Sequence, residues 1–115
     1  MSRSARSSLT ARQQASAPVF AALGDRTRLS LVVKLSGGPP CSIAQLTENT
    51  ALTRQAITKH LRILEEAGIV HSVRTGRESR FAYDPRPIED LRQYLELVSA
   101  QWDQALGRLK AFVEG

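Results

Sequence analysis

A single cysteine, Cys41, stands in 115 residues, so no disulfide can form within the chain and a disulfide-stapled secreted fold is excluded. Long apolar runs are also missing: nowhere do the roughly 18 consecutive apolar residues of a membrane-spanning helix occur. The N-terminus, Met1 to Ser8, carries charge but no apolar stretch of signal-peptide length. These absences point to a cytoplasmic protein with no membrane association. Aromatic residues are few, three Phe, two Tyr and one Trp, and no exposed pair can be picked out as a stacking platform for RNA. There is no glycine-rich phosphate loop, no His-Glu pair at metal spacing and no nucleophile with a base and an orienting group nearby. An enzyme is therefore not expected, nor a cofactor.

What the chain does contain is concentrated between Thr53 and Gly68. Ile57, Leu61 and Leu64 recur at i, i+4 and i+7, the spacing of a buried helical face. Arg54, Gln55, Thr58, Lys59 and Arg62 fall outside that stripe, on an edge free to meet a ligand. Thr53 can cap the first turn with its hydroxyl, and Gly68 can take the left-handed conformation that ends a helix.

Charge follows the same concentration. The net charge is +5, and residues 1–83 carry 12 Lys/Arg against 5 Asp/Glu, whereas residues 84–115 carry 4 against 6. A basic surplus around one amphipathic helix points to an anionic partner, although a generically basic surface would show the same totals.

The neighbours of this helix give it a context. Residues 1–16 are rich in Ser and Arg and poor in large apolar groups, which predicts a mobile basic arm that can turn helical toward Gln13. A folded domain is expected over 17–115. Val19, Phe20 and Leu23 form a short apolar helix face ending at Gly24, and Asp25 is placed to cap a second helix with Leu29, Val32 and Val33 inward. Ser42 with Gln45 forms a capping box for a short third helix, with Ile43 and Leu46 inward. Residues 49–52 then connect tightly into the basic helix, which gives the size and order of a helix-turn-helix. The alternating runs Ile69–Arg74 and Ser79–Tyr83 flank Thr75-Gly76-Arg77-Glu78 and predict a β-hairpin. A hairpin directly after a helix-turn-helix is a wing. Arg74, Arg77 and Arg80 around its tip suit phosphates or a narrow minor groove, as they would also suit an ordinary solvated hairpin.

Two stretches make the chain resemble the ArsR/SmtB family of winged-helix regulators: Ala22-Leu23-Gly24-Asp25-Arg26-Thr27-Arg28-Leu29, and Thr53 through Val70. The likeness runs from about Ala17 to the end. Arg26 stands where the family usually has proline, a mild departure because proline in the first helical turn helps but is not required. The resemblance implies a dimeric transcriptional repressor with Thr53, Arg54, Gln55, Thr58 and Lys59 at the positions that face double-stranded DNA. The expected fold is mainly α with a small antiparallel β-hairpin: a winged helix-turn-helix with a long C-terminal dimerisation helix.

That last helix also argues for a homodimer through its own pattern. Ile88, Leu91, Leu95, Val98, Trp102, Ala105, Leu109 and Phe112 repeat at spacings of 3 and 4, an a/d seam over more than three heptads. A helix of about 27 residues would be about 40 Å long, more than so small a domain can cover. Val19, Phe20, Leu91, Leu95, Val98, Trp102, Leu109 and Phe112 are the expected interface residues.

The family's name suggests metal sensing, and the residues argue against it. Its thiolate sensors carry a Cys-x-Cys pair in the third helix, at positions aligning best with Ser42 and Ala44, while its other site draws His and carboxylates from the last helix. Here Cys41 has no second thiol, and His60 and His71 both precede that helix. A zinc-type site needs about four ligands, so no metal is expected; the inducer stays unidentified. His60 flanks the buried stripe and reads as a packed, hydrogen-bonded residue, His71 as an ordinary strand residue, and Cys41 as a small hydrophobe, with redox sensing left open. The competing reading is a winged helix used only for protein interaction. Against it stands the exposed Arg54-Gln55 pair, suited to guanine and adenine edges rather than to an apolar partner.

Overall fold

Capping sets most of the boundaries. The computed structural model describes residues Ser2–Gly115, with side chains from Ser8 onward. Helix α1 spans Ser2–Leu23, α2 Arg26–Ser36, α3 Ile43–Thr47, α4 Arg54–Glu66 and α5 Arg86–Glu114; the strands are β1 Cys41–Ser42, β2 Val70–Thr75 and β3 Glu78–Tyr83. Asp25 caps α2 by accepting from the Arg28 amide at 3.0 Å. Ser42 and Gln45 make both bonds of the expected capping box, 3.1 and 2.8 Å. Thr53 accepts from the Ala56 amide at 3.1 Å and opens α4. At the other end of α4, Gly68 (φ +76°) donates to Glu65 and Ile69 donates to Leu64, both at 2.9 Å. This is a Schellman closure, with its apolar pair Leu64 and Ile69 fully buried.

The core lies where α1, α2, α3 and α4 meet the sheet. Ile57, Leu61 and Leu64 of α4 are wholly inaccessible, as are Ile69 and Val70, and Val19, Ala22, Leu31, Val32, Leu35, Leu46, Phe81 and Leu91 close around them. Burying each large side chain in this set is worth roughly 1.5–3 kcal/mol over leaving it in water, so α4 is held by its back face and its front is free.

The wing is tighter than the sequence suggests. Strands β2 and β3 pair from Val70↔Tyr83 to Thr75↔Glu78, leaving a two-residue turn, Gly76-Arg77. Gly76 has φ +63°, the backbone such turns require at their first position. A third strand was not foreseen: β1 pairs antiparallel with β3, giving the order β1-β3-β2. Two residues have no periodicity to read, and only the approach of Phe81 to Cys41 makes them a strand.

The packing bears on three expectations. Residues 2–16, within the segment expected as a mobile basic arm, form the first part of α1, which begins at Ser2. No glycine or proline interrupts the chain before Pro18, α1 runs against α5, and Ser16 is buried; packing supplies the order that composition alone does not. In α2, Leu29 and Val33 are exposed, while Leu31, Val32 and Leu35 face inward. The inward stripe is 28, 31, 32, 35, and Arg28 occupies its first place, so a search for apolar residues alone selects the wrong phase. Finally, Val19 and Leu91, expected at a subunit interface, are buried within their own subunit.

Helix α5 follows directly from the wing. The Asp84 amide donates to the Ile69 carbonyl at 2.8 Å, and its carboxylate accepts from the Arg86 amide at 3.0 Å. From there α5 runs 29 residues, about 43 Å, and its distal half extends past the domain. The molecule measures 66 × 30 × 21 Å along its principal axes.

Candidate nucleic-acid interface

Six of the nine residues selected from the sequence line one shallow groove. Thr53, Arg54, Gln55, Thr58, Lys59 and Arg62 surround a concavity of about 660 Å³, together with Ile43 and Ala56. The cause is helical: with Ile57, Leu61 and Leu64 turned to the core, these positions must face outward. Arg54, Gln55, Lys59 and Arg62 are exposed, and among the described residues none of them enters an ion pair. Two hydroxyls are already engaged. Thr53 Oγ1 caps the helix, and Thr58 Oγ1 donates to the Arg54 carbonyl at 2.7 Å. Ile43, read as a core residue, is half-buried and forms one wall; its place on the first turn of α3, against α4, is the signal that could have revealed this.

The wing arginines form a separate group and are not equivalent. Arg80 Nε lies 2.8 Å from Glu78 Oε1, a neutralised pair on neighbouring positions of β3. Arg74 Nε donates to the Gly76 carbonyl at 3.4 Å. Arg77 occupies the turn itself, exposed. Of the three arginines, Arg77 has the freest cation for a phosphate.

A cluster behind the wing escaped sequence reasoning. His71 Nε2 lies 2.7 Å from Asp84 Oδ2, and the Arg86 guanidinium meets the same carboxylate at 2.6 Å. The guanidinium of Arg86 first, then its amide and then His71 hold the Asp84 carboxyl well below the usual carboxylate range. The cluster edges a cavity of about 630 Å³ between α1, β2 and the start of α5, also lined by Arg12, Ser16 and Val19. Its signal lay in the hairpin register: with His71 opposite Ala82, Asp84 is the diagonal neighbour on the same face. Among the described residues, no three His, Cys, Asp or Glu side chains converge as a metal cage. Cys41 is half-exposed, with its thiol 3.5 Å from the Pro39 carbonyl.

The geometry has known counterparts. Residues 25–72, from the cap of α2 through the first residues of the wing, match the family described as bacterial regulatory protein, arsR family. The HTH-type transcriptional regulator YuzN of Bacillus subtilis shares 37% identity over 64% of this chain and 86% of its own. The HTH-type transcriptional regulator Rv2034 of Mycobacterium tuberculosis shares 31% identity over 74% of this chain and 76% of its own. Among solved structures, the ArsR-like transcriptional regulator from Rhodococcus sp. RHA1 superposes with a TM-score of 0.78 at 35% identity, covering 87% of this chain and 93% of that one. The likeness reaches beyond the helix-turn-helix to most of the chain, and with the α3–α4 groove in place it assigns the protein to the ArsR family of winged-helix, DNA-binding transcriptional regulators.

Proposed function

We propose that the chain is a homodimeric repressor that occupies a pseudo-palindromic operator, with α4 of each subunit in successive major grooves and the wings on flanking backbone or minor groove. One observation carries this reading: the groove-lining side chains Arg54, Gln55, Lys59 and Arg62 project from a helix whose opposite face is locked into the core. Arginine and glutamine can bond bidentately to guanine and adenine edges, while Lys59 and Arg62 add charge for phosphates. Ile43 and Ala56 are the apolar residues in its lining, and neither is an aromatic anchor of the kind protein interfaces favour, which disfavours a purely protein-binding role.

Dimerisation is supported by what α5 leaves uncovered. Trp102 is 65% exposed and Phe112 85%, and Leu95, Leu106, Leu109 and Val113 lie open with them, as does Phe20 on α1. Val98 is half-buried. So much apolar surface on one helix marks a contact with another chain, and a second copy presents the same stripe.

Footprinting at fixed salt tests base readout. Truncating Arg54→Ala or Gln55→Ala should each cost about 1–3 kcal/mol on the specific site and less on random DNA. Unchanged affinity and base preference in both variants would remove α4 from the role given to it.

A further inference from the structure

Arg28 fills the first inward position of α2, where the stripe would otherwise hold an apolar side chain. Its guanidinium is spread over two other helices. Nε donates to the Ala22 carbonyl at 2.6 Å and Nη2 to the Ala21 carbonyl at 3.3 Å, while Nη1 lies 3.3 Å from His60 Nδ1. Ala21 and Ala22 belong to the last turn of α1, so a cation meets the negative end of that helix. His60 belongs to α4. Since a guanidinium has only donors, this contact is a hydrogen bond in the tautomer that carries the ring proton on Nε2. Asp25, the cap of α2, stands 3.7 Å from the same Nδ1.

We propose that Arg28, acting through His60, is a positioning residue that sets the orientation of α4 against the end of α1, and so the separation of the two recognition helices in a dimer. The inference rests on the dimeric, DNA-binding reading above. Its physical basis is a division of labour. The apolar contacts of Ile57, Leu61 and Leu64 hold α4 to the core, but they are non-directional and tolerate small rotations. A planar fork of donors in fixed geometry is directional. It joins α4 to α1, which carries the exposed Phe20 and runs against α5. Two recognition helices must arrive about 34 Å apart to enter successive major grooves, and twofold symmetry doubles any error made in one subunit.

The test starts with wild-type protein and a pool of random-sequence duplexes, from which the bound half-site is selected; that half-site is then rebuilt as inverted repeats at successive spacings and as a single copy. Wild type should prefer one spacing. His60→Leu, which deletes the acceptor, and Arg28→Lys, which keeps the charge but loses the fork, should each lose about tenfold on the preferred spacing and discriminate less between spacings. Affinity for the single half-site should stay within about twofold, and His60→Gln, whose amide oxygen can accept from Arg28, should restore the wild-type preference. If His60→Leu keeps the wild-type spacing preference, or if paired and single half-sites weaken in parallel, the positioning role is overturned. A wild-type chain that selects no sequence overturns the DNA-binding reading, and this inference with it.

Discussion

At the scale of single residues, the carboxylate of Asp84 stands where the wing passes into α5 and gathers the Arg86 guanidinium, the Arg86 amide and the His71 imidazole around it. These donors favour the ionised form, so its titration in the folded protein lies below the ordinary value near 3.8. The sign of the linkage follows. Stability from this group is present above the unfolded pKa and is lost as pH falls through the folded one. Asp84→Asn should therefore be less stable than wild type at pH 7, and the gap should close as the pH is lowered below about 4. Urea melts of both proteins at pH 7 and pH 3 measure this, and a gap independent of pH would show that the carboxylate acts by shape rather than charge. Neither His71 nor Asp84 stands out along the chain, because their meeting depends on a hairpin register that only the turn at Gly76-Arg77 settles.

Among the elements, those whose ends are written locally could be read from the chain. The start and stop of α4 depend on Thr53, Ala56, Glu65 and Gly68, all within a turn of the residues they cap. The capping box of α3 is equally local. Elements that depend on distant contacts could not be read in this way: β1 exists only because β3 lies beside it, and the inward phase of α2 is hidden by an arginine whose partners are on α1 and α4. The groove was legible because it is the back-projection of the Ile57, Leu61, Leu64 stripe, whereas the pairing of Arg80 with Glu78 was not. That pairing sharpens the expectation for the wing. Arg77→Ala should weaken specific and random DNA together and lower the slope of log affinity against log salt by about 0.9, one phosphate contact. Arg80→Ala should move the slope less. Fluorescence titrations between low and moderate salt check both, and a loss of sequence preference without a change of slope would contradict a backbone role for Arg77.

Across the whole molecule, the basic groove and wing lie in the part of the chain with surplus positive charge, and the apolar overhang lies in the part without it. Joining two subunits makes the second half-site contact intramolecular, which raises affinity by orders of magnitude without any new base contact. In the proposed dimer, Trp102→Glu would place an unpaired charge in the seam between subunits. The variant should sediment as a folded monomer with weak, salt-sensitive affinity for random DNA, and a dimer that binds the operator normally would locate the interface elsewhere. Because the chain lacks both a Cys-x-Cys pair and a histidine in α5, micromolar Zn²⁺, Cd²⁺ or As(III) should leave the operator occupied; stoichiometric binding with release of DNA would defeat that expectation.

The overhang of α5 has one more consequence, for the lifetime of the regulator rather than its affinity. A helix end with no apolar partner among the described residues of its own chain opens readily, so in the proposed dimer a subunit diluted away from its mate would offer proteases a cleavage site between Trp102 and Val113 that the pair conceals. Limited proteolysis across a dilution series should show cutting in α5 rise as the protein is diluted, whereas a rate independent of concentration would refute the idea. For the dimeric repressor proposed above, the chain would then decay faster the scarcer it became, so that once synthesis stopped the pool would collapse more steeply than a simple exponential and the genes it held would be released together.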